Sequence, residues 1–339
     1  MTFGGGGRWE AIGAQQQEEA TLLVKRALEA GVNVIDTANV YASGTSERLL
    51  GQALRDLGVP RERVVIASKV LGAMGHGVNQ SGLSRGHIVD QVHASLERLQ
   101  IDYIDLYQIH GFDPLTPLQT TLSALTDLVR EGTVRSIGAS NLAAWQLAKA
   151  LWVADVHGFE RFESLQAYYT VAGRDLEREV VPLLDDQELG LLVWSPLAGG
   201  LLSGKYDRTT DEAGDARRDT FDFPPVNRDR AWDVVDAMRD VAAAHDASVA
   251  QIALAWLLHQ DVVTSVIIGA KRMDQLEANL ASVDIVLSDD ELARLDEVSA
   301  LPPEYPGWMV ARQATGRDLE RIAEAAEPVL EADAADVKD

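Results

Sequence analysis

Four residues of this sequence have the types and spacing for shared proton chemistry: Asp36, Tyr41, Lys69 and His110. Asp36 and Tyr41 lie five positions apart, and Lys69 and His110 each follow a short apolar run. A tyrosine phenol, with a pKa near 10, is a poor acid at neutral pH. A neighbouring ammonium favours the phenolate and lowers that pKa. A carboxylate paired with the lysine keeps it charged and oriented. An imidazole can hydrogen-bond a substrate oxygen and fix its direction. Together the four suit proton delivery to a carbonyl. Each also has a structural role open to it: Asp36 as a turn cap before Thr37, Tyr41 as a packed aromatic, Lys69 as a solvated strand end, His110 as a satisfied structural histidine. The combination is more specific than any member.

The elements that must position them are legible as an alternation. Apolar runs at 32–35, 64–67, 104–109, 134–139, 164–167, 191–194 and 265–268 are short and rich in Val and Ile. Such runs read as strands buried on both faces, hence a parallel sheet. They end in Asp36, Ser68 and Lys69, His110, Ser140 and Asn141, Ser195, and Gly269, and the fifth carries Gln166. Amphipathic patterns at 18–30, 46–57, 84–99, 118–130, 142–156, 176–187, 231–244, 248–259, 274–281 and 288–298 predict helices. Gly31 and Gly58 are placed to end the first two, and Ser84 to cap the third. A doubly wound sheet would concentrate its fingerprint in a GxGxxG turn, which does not occur. Polar residues at the ends of many strands favour a (β/α)8 barrel. Seven strands are visible where a barrel needs eight; the missing first strand belongs before residue 18.

Composition narrows the partners. The chain has 339 residues, 53 acidic against 30 Lys and Arg, and a formal net charge of −23. That balance disfavours nucleic acid and anionic membrane surfaces. The 46% hydrophobic content supports a sizeable core, and the absence of cysteine excludes disulfides and thiolate chemistry. No apolar run reaches the ~18 residues of a membrane span, so a cytoplasmic protein is expected. His76, His87, His93, His157, His245 and His259 form no i, i+4 zinc pair, so no metal is expected.

The stretches VIDTANVY (34–41), ASK (67–69), DLYQIH (105–110) and IGASN (137–141) resemble the signatures of the aldo-keto reductases. WSPLAGGLLSGK (194–205) and LPPEYPGW (301–308) resemble the bacterial and potassium-channel-β-subunit-like branch. The resemblance covers residues 1–313, leaving 314–339 as a weak helix and an acidic tail. It implies a TIM barrel and NADPH-dependent reduction of an aldehyde or ketone. Tyr41 would be the general acid, Lys69 its tuner, Asp36 the partner of Lys69, and His110 the group that positions the carbonyl. Ser140, Asn141 and Gln166 would bind the nicotinamide carboxamide, and Trp194 would stack on its ring. Ser195, Pro196, Leu197, Ala198 and Lys205 would line the pyrophosphate. Gly269, Ala270, Lys271, Arg272, Gln275 and Asn279 would hold the adenosine end.

Lys271 and Arg272 at a helix start favour the 2′-phosphate of NADPH. Gln275, where some members carry arginine, leaves NADH open. Asn39 replaces a common aspartate, with little effect expected. The loop at 206–227, with Arg217, Arg218, Phe221 and Phe223, could cover the cofactor or be a surface insertion. Family members have a hairpin and first strand ahead of the segment resembling residues 2–5, so a start upstream of Met1 is expected, the alternative being a compromised enzyme. The alternative is a nicotinamide-binding regulatory or sensor protein with weak turnover, like the channel β-subunits.

Overall fold

The structure, a computed structural model, describes residues 1–5, 13–206, 208, 218 and 221–314. Contacts divide the chain into two units, Met1–Ser299 and the residues from Ala300 onward. The first unit alternates helices and strands. In order they are α1 (Gln17–Glu29), β1 (Val34–Asp36), α2 (Thr45–Asp56), β2 (Val65–Val70), α3 (Arg85–Leu99), β3 (Ile104–Ile109) and α4 (Leu118–Arg130). Then come β4 (Val134–Ser140), α5 (Ala144–His157), β5 (Phe162–Tyr168), α6 (Val180–Asp186) and β6 (Gly190–Trp194). After these follow α7 (Arg228–Ala244), α8 (Val249–Leu258), β7 (Val263–Val266), α9 (Met273–Leu280) and α10 (Asp289–Ser299). The second unit contributes α11 (Gly307–Ala314). The weak helix and acidic tail expected beyond 314 lie outside the described residues.

The seven strands form one parallel sheet in sequence order, β1 to β7. Each parallel step needs a crossover, and helices supply it. This cover on the sheet is why the strands are so apolar: Ile66, Ile104, Tyr107, Ile109 and Leu165 are fully buried. From α3, Ile88, Val92 and Leu99 pack onto the same core. Ser84 caps α3 as expected, its Oγ accepting from His87 N at 3.3 Å. Among the described residues no ladder joins β1 to β7, so the sheet has two edges. Near the chain start, Phe3 makes one isolated parallel bridge to Gln15.

Register decides which side chains meet. Asp36 is opposite Ala67, Lys69 opposite Gln108, Gln108 opposite Gly138, and Ser140 opposite Gln166. All the strands run the same way, so their C-terminal ends share one edge of the sheet.

Most element boundaries move by one to three residues from the sequence reading, and two differences concern the strand and helix patterns themselves. The last strand spans Val263–Val266 rather than 265–268, and its register against β6 shifts between Leu191 and Leu192. Ile267 N still donates to Val193 O at 2.8 Å, and there the ladder ends. The helix expected at 176–187 is a 3-10 turn, Asp175–Arg178, followed by α6. Pro182 explains the break: it lacks the N–H that a continuous helix would donate to Arg178.

Candidate active site

The site begins where β1 stops. Past Asp36 the pairing with β2 continues, with Thr37 N to Ala67 O at 2.9 Å and Asn39 N to Lys69 O at 3.3 Å. The chain then makes a 3-10 turn, Tyr41–Gly44. After Tyr41 three residues in a row are left-handed: Ala42 (φ 46°), Ser43 (φ 53°) and Gly44 (φ 90°). Side-chain-bearing residues resist this region at about 1–2 kcal/mol each. Persistent strain of this kind requires a surround that over-determines it. That surround is a buried set behind the turn. Glu47 accepts from Ser68 Oγ at 2.6 Å and from Arg98 Nε at 2.7 Å. Arg98 Cδ lies 2.7 Å from where a Cβ on Gly44 would sit, so glycine is required there both for space and for φ. Thr37 and Ser46 share a buried hydroxyl contact at 3.2 Å.

On the other face of β2, Lys69 is fully buried. Its Nζ donates to Asp36 Oδ2 at 2.5 Å, to Thr37 O at 2.9 Å and to Tyr41 Oη at 3.5 Å. Burial works against its charge, but Asp36 and Tyr41 outweigh burial and the Lys69 pKa is raised. It therefore stays an ammonium. For Tyr41 burial is the largest influence and pushes its pKa up, while the Lys69 charge pulls it down. The expected lowering by Lys69 is present, yet the net direction is upward, because burial is stronger. Tyr41 is thus a held proton donor with a cation in place for the phenolate. The His110 ring stands 5.6 Å from the Tyr41 ring, edge-on at 73°. Burial and the Lys69 charge lower its pKa to about 3, so it is a neutral imidazole.

The second oxygen of Asp36 is also engaged. Oδ1 accepts from Gln166 Nε2 at 2.7 Å and from Gln108 Nε2 at 3.3 Å. Sequence reasoning passed over Gln108. Its one signal was a polar residue inside an otherwise apolar run, since a buried amide needs partners. Asn39 donates to Gln91 of α3 at 3.0 Å.

Beside this group the ends of β4, β5 and β6 are knitted together. Ser140 Oγ donates to Gln166 O at 2.9 Å. Asn141, left-handed at φ 56°, donates to His110 O at 3.1 Å and to Ser140 Oγ at 2.9 Å. Its Oδ1 accepts from Trp194 Nε1 at 3.0 Å, which fixes the indole edge. The Trp194 ring also meets Tyr168 at 5.3 Å and lies parallel to Phe223 at 5.8 Å and 6°. It is partly exposed, unlike a core tryptophan.

After β6 the backbone turns through left-handed Ser195, Ala198, Gly199 and Gly200, with Pro196 and Leu197 between. Ser195 Oγ accepts from Gly199 N at 3.1 Å. Buried Arg218 donates to Ala198 O at 2.5 Å and to Pro224 O at 3.0 Å. The loop's Phe223 therefore sits beside Trp194, while most of 207–220, including Arg217, lies outside the described residues. Lys205 is exposed. Past β7, Gly269 and Ala270 lead to Lys271, whose N donates to Gln275 Oε1 at 3.0 Å and whose O accepts from Gln15 at 2.9 Å. Arg272 pairs with Asp274 at 2.8 Å. Asn279 is one turn beyond Gln275 on α9. Asp36, Tyr41, Lys69, His110 and Gln166 thus form one contact group, and Ser140, Asn141 and Trp194 adjoin it. The residues after β6 and β7 occupy neighbouring strand ends.

A family model described as "Aldo/keto reductase family" matches residues 1–300. An aldo-keto reductase of Fusarium vanettenii is 36% identical over 312 residues, covering 85% of this chain and 83% of that protein. The versiconal hemiacetal acetate reductase of Aspergillus parasiticus is 34% identical over 311 residues, covering 86% and 90%. An Arabidopsis thaliana protein named "Probable voltage-gated potassium channel subunit beta" is 34% identical over 308 residues, covering 88% and 93%. With that match over most of its length, the chain belongs to the aldo/keto reductase family and is an oxidoreductase by kinship.

Proposed function

We propose that the protein reduces an aldehyde or ketone to an alcohol with NADPH, Tyr41 acting as general acid. The observation that carries this reading is Lys69 Nζ, placed 2.5 Å from Asp36 and 3.5 Å from the Tyr41 hydroxyl with neutral His110 alongside. When bound, the reduced nicotinamide supplies a hydride to the carbonyl carbon. His110 donates an N–H to the carbonyl oxygen and aims it at Tyr41. Tyr41 gives that oxygen its proton, and solvent later restores the phenol. Lys69 stabilises the phenolate left behind, and Asp36 keeps Lys69 charged and in place.

The donor set suits the cofactor. Ser140, Asn141 and Gln166 are amide and hydroxyl groups matched to a carboxamide, and Trp194 offers a held aromatic face. Gly200, left-handed with open space where a Cβ would stand, permits close backbone approach after β6. Lys205, Lys271 and Arg272 are exposed cations in an acidic chain. Lys271 and Arg272 favour the 2′-phosphate, but Arg272 is shared with Asp274 and Gln275 with its own turn, so NADH remains usable. In a (β/α)8 barrel one further strand would pair between β1 and β7.

The channel-subunit relative supports a second reading, nicotinamide binding with regulation in place of turnover. The test is carbonyl-dependent oxidation of NADPH over a panel of aldehydes, ketones and quinones, with Tyr41→Phe as control. Consumption lost in the variant supports reduction. Tight NADPH binding with no carbonyl consumed supports the regulatory reading.

A further inference from the structure

We infer that Gln108 is a positioning residue: with Gln166 it clamps one oxygen of Asp36, so that the other stays aimed at Lys69. This rests on the proposed role of Tyr41 and deepens it.

Gln108 is fully buried, one residue before the end of β3. A buried amide left unpaired costs about 1–3 kcal/mol, so its partners define its orientation. Both ends of the amide are engaged. Nε2 donates to Asp36 Oδ1 at 3.3 Å, and Oε1 accepts from Gln166 Nε2 at 3.4 Å. Gln166 Nε2 also donates to Asp36 Oδ1 at 2.7 Å. The three side chains close a ring of hydrogen bonds on one carboxylate oxygen, while Lys69 holds the other at 2.5 Å.

The backbone makes room for this. In the sheet register Lys69, Gln108 and Gly138 stand in one row across β2, β3 and β4. A Cβ on Gly138 would stand 3.1 Å from Gln108 Cγ. The missing side chain leaves the glutamine stem space beside β4, towards Gln166 on β5.

The clamp matters because Asp36 acts on Tyr41 in two opposed ways. It raises the Tyr41 pKa directly, and it holds the Lys69 charge that lowers it. Two amide donors on Oδ1 spread the carboxylate's charge away from Tyr41 and fix its rotation. Without them more of that charge falls on the phenol, and Lys69 is less tightly aimed.

The test compares Gln108→Met, which keeps shape and loses the donor, with Gln108→Glu. In Gln108→Met, kcat should fall about ten-fold, short of the ~10²-fold cost of a 1 Å misplacement. Carbonyl KM, NADPH affinity and melting temperature should stay near wild type. Gln108→Glu places a second carboxylate against Asp36, which raises the pKa of the pair. Its activity relative to wild type should recover as pH falls, because the introduced carboxyl, once protonated, can donate again. Independent of turnover, the Tyr41 resonance in protein labelled at tyrosine Cζ, assigned with Tyr41→Phe, should titrate at higher pH in Gln108→Met. An unchanged Tyr41 titration overturns the inference. So does a kcat loss that only follows a loss of folded protein in both variants. A wild-type chain that reduces no carbonyl, with the Tyr41 titration still shifted in Gln108→Met, instead removes the proposed reaction and leaves the clamp standing.

Discussion

Glu47 and Arg98 form an ion pair at 2.7 Å with side chains 0% and 8% exposed, directly behind the turn that carries Tyr41. Ser68 and Ser95 complete the hydrogen bonding of the pair. The same β2 segment presents Ser68 to this pair and Lys69 to the site, by strand alternation. The scaffold of the proton donor is therefore itself a buried polar cluster.

Removing one partner leaves a buried charge uncompensated, which costs about 3–5 kcal/mol. Glu47→Ala should lower unfolding stability by that amount in a urea titration. Replacing both, with Glu47→Met and Arg98→Met, should cost less than the single change. A single variant as stable as wild type would show that the pair does not hold the fold.

Tyr41→Phe should cut turnover by about 10²–10⁴-fold, the usual worth of a general acid. NADPH affinity, read by fluorescence titration, should be unchanged, because the lost hydroxyl faces Lys69. Lys69→Met should lose turnover similarly and lose stability as well, because it strands Asp36. Full activity in Tyr41→Phe would remove the mechanism.

His110 gives a pH signature with a defined sign. Unfolded, it binds a proton near pH 6.5; folded, only near pH 3, because burial and Lys69 oppose the charge. Between those values the unfolded state holds more protons, so stability rises with pH. Going from pH 7 to 5 should cost about 1–2 kcal/mol, and His110→Gln should flatten that slope. His87, whose pKa burial also lowers, supplies the remainder in the same range. Carboxylates such as Asp113, whose pKa is lowered, act at more acid pH. The profile of kcat/KM should show no His110 inflection near 6.5.

Lys271→Ala with Arg272→Ala should weaken NADPH binding roughly ten-fold, about 1.4 kcal/mol, and leave NADH within two-fold. Calorimetry of each cofactor reads this directly. Equal losses for both cofactors would place the two cations elsewhere than at the 2′-phosphate.

The grouping of Asp36, Tyr41, Lys69 and His110 is legible in the sequence alone. Strands of one direction, joined by helices, bring their C-terminal ends to one edge whatever the side chains are. A short apolar run ending in a polar residue therefore places that residue at the shared end, and strand alternation decides whether it faces the site, as Lys69 does, or away from it, as Ser68 does. Caps were legible for a related reason: Ser84 bonds an amide three residues away, a contact that local sequence contains. Gly31, at φ 92° after α1, is another local case.

The contacts that tune the site were not legible. Gln108 is one polar letter in an apolar run, and its partners Asp36 and Gln166 stand 72 and 58 residues away. Arg98 reads as a solvated helix residue until α3 docks its end against Gly44 and Glu47. Arg218 reads as loop charge until it bonds Ala198. The upward shift of the Tyr41 pKa needed the balance of burial against Lys69, and burial belongs to the whole packing. Which chemistry-bearing residues stand at strand ends can be read along the chain, because periodicity and chain direction are local properties. Which of them hydrogen-bond, and how far each is withdrawn from water, is settled by folding, because both depend on side chains brought together from many residues apart.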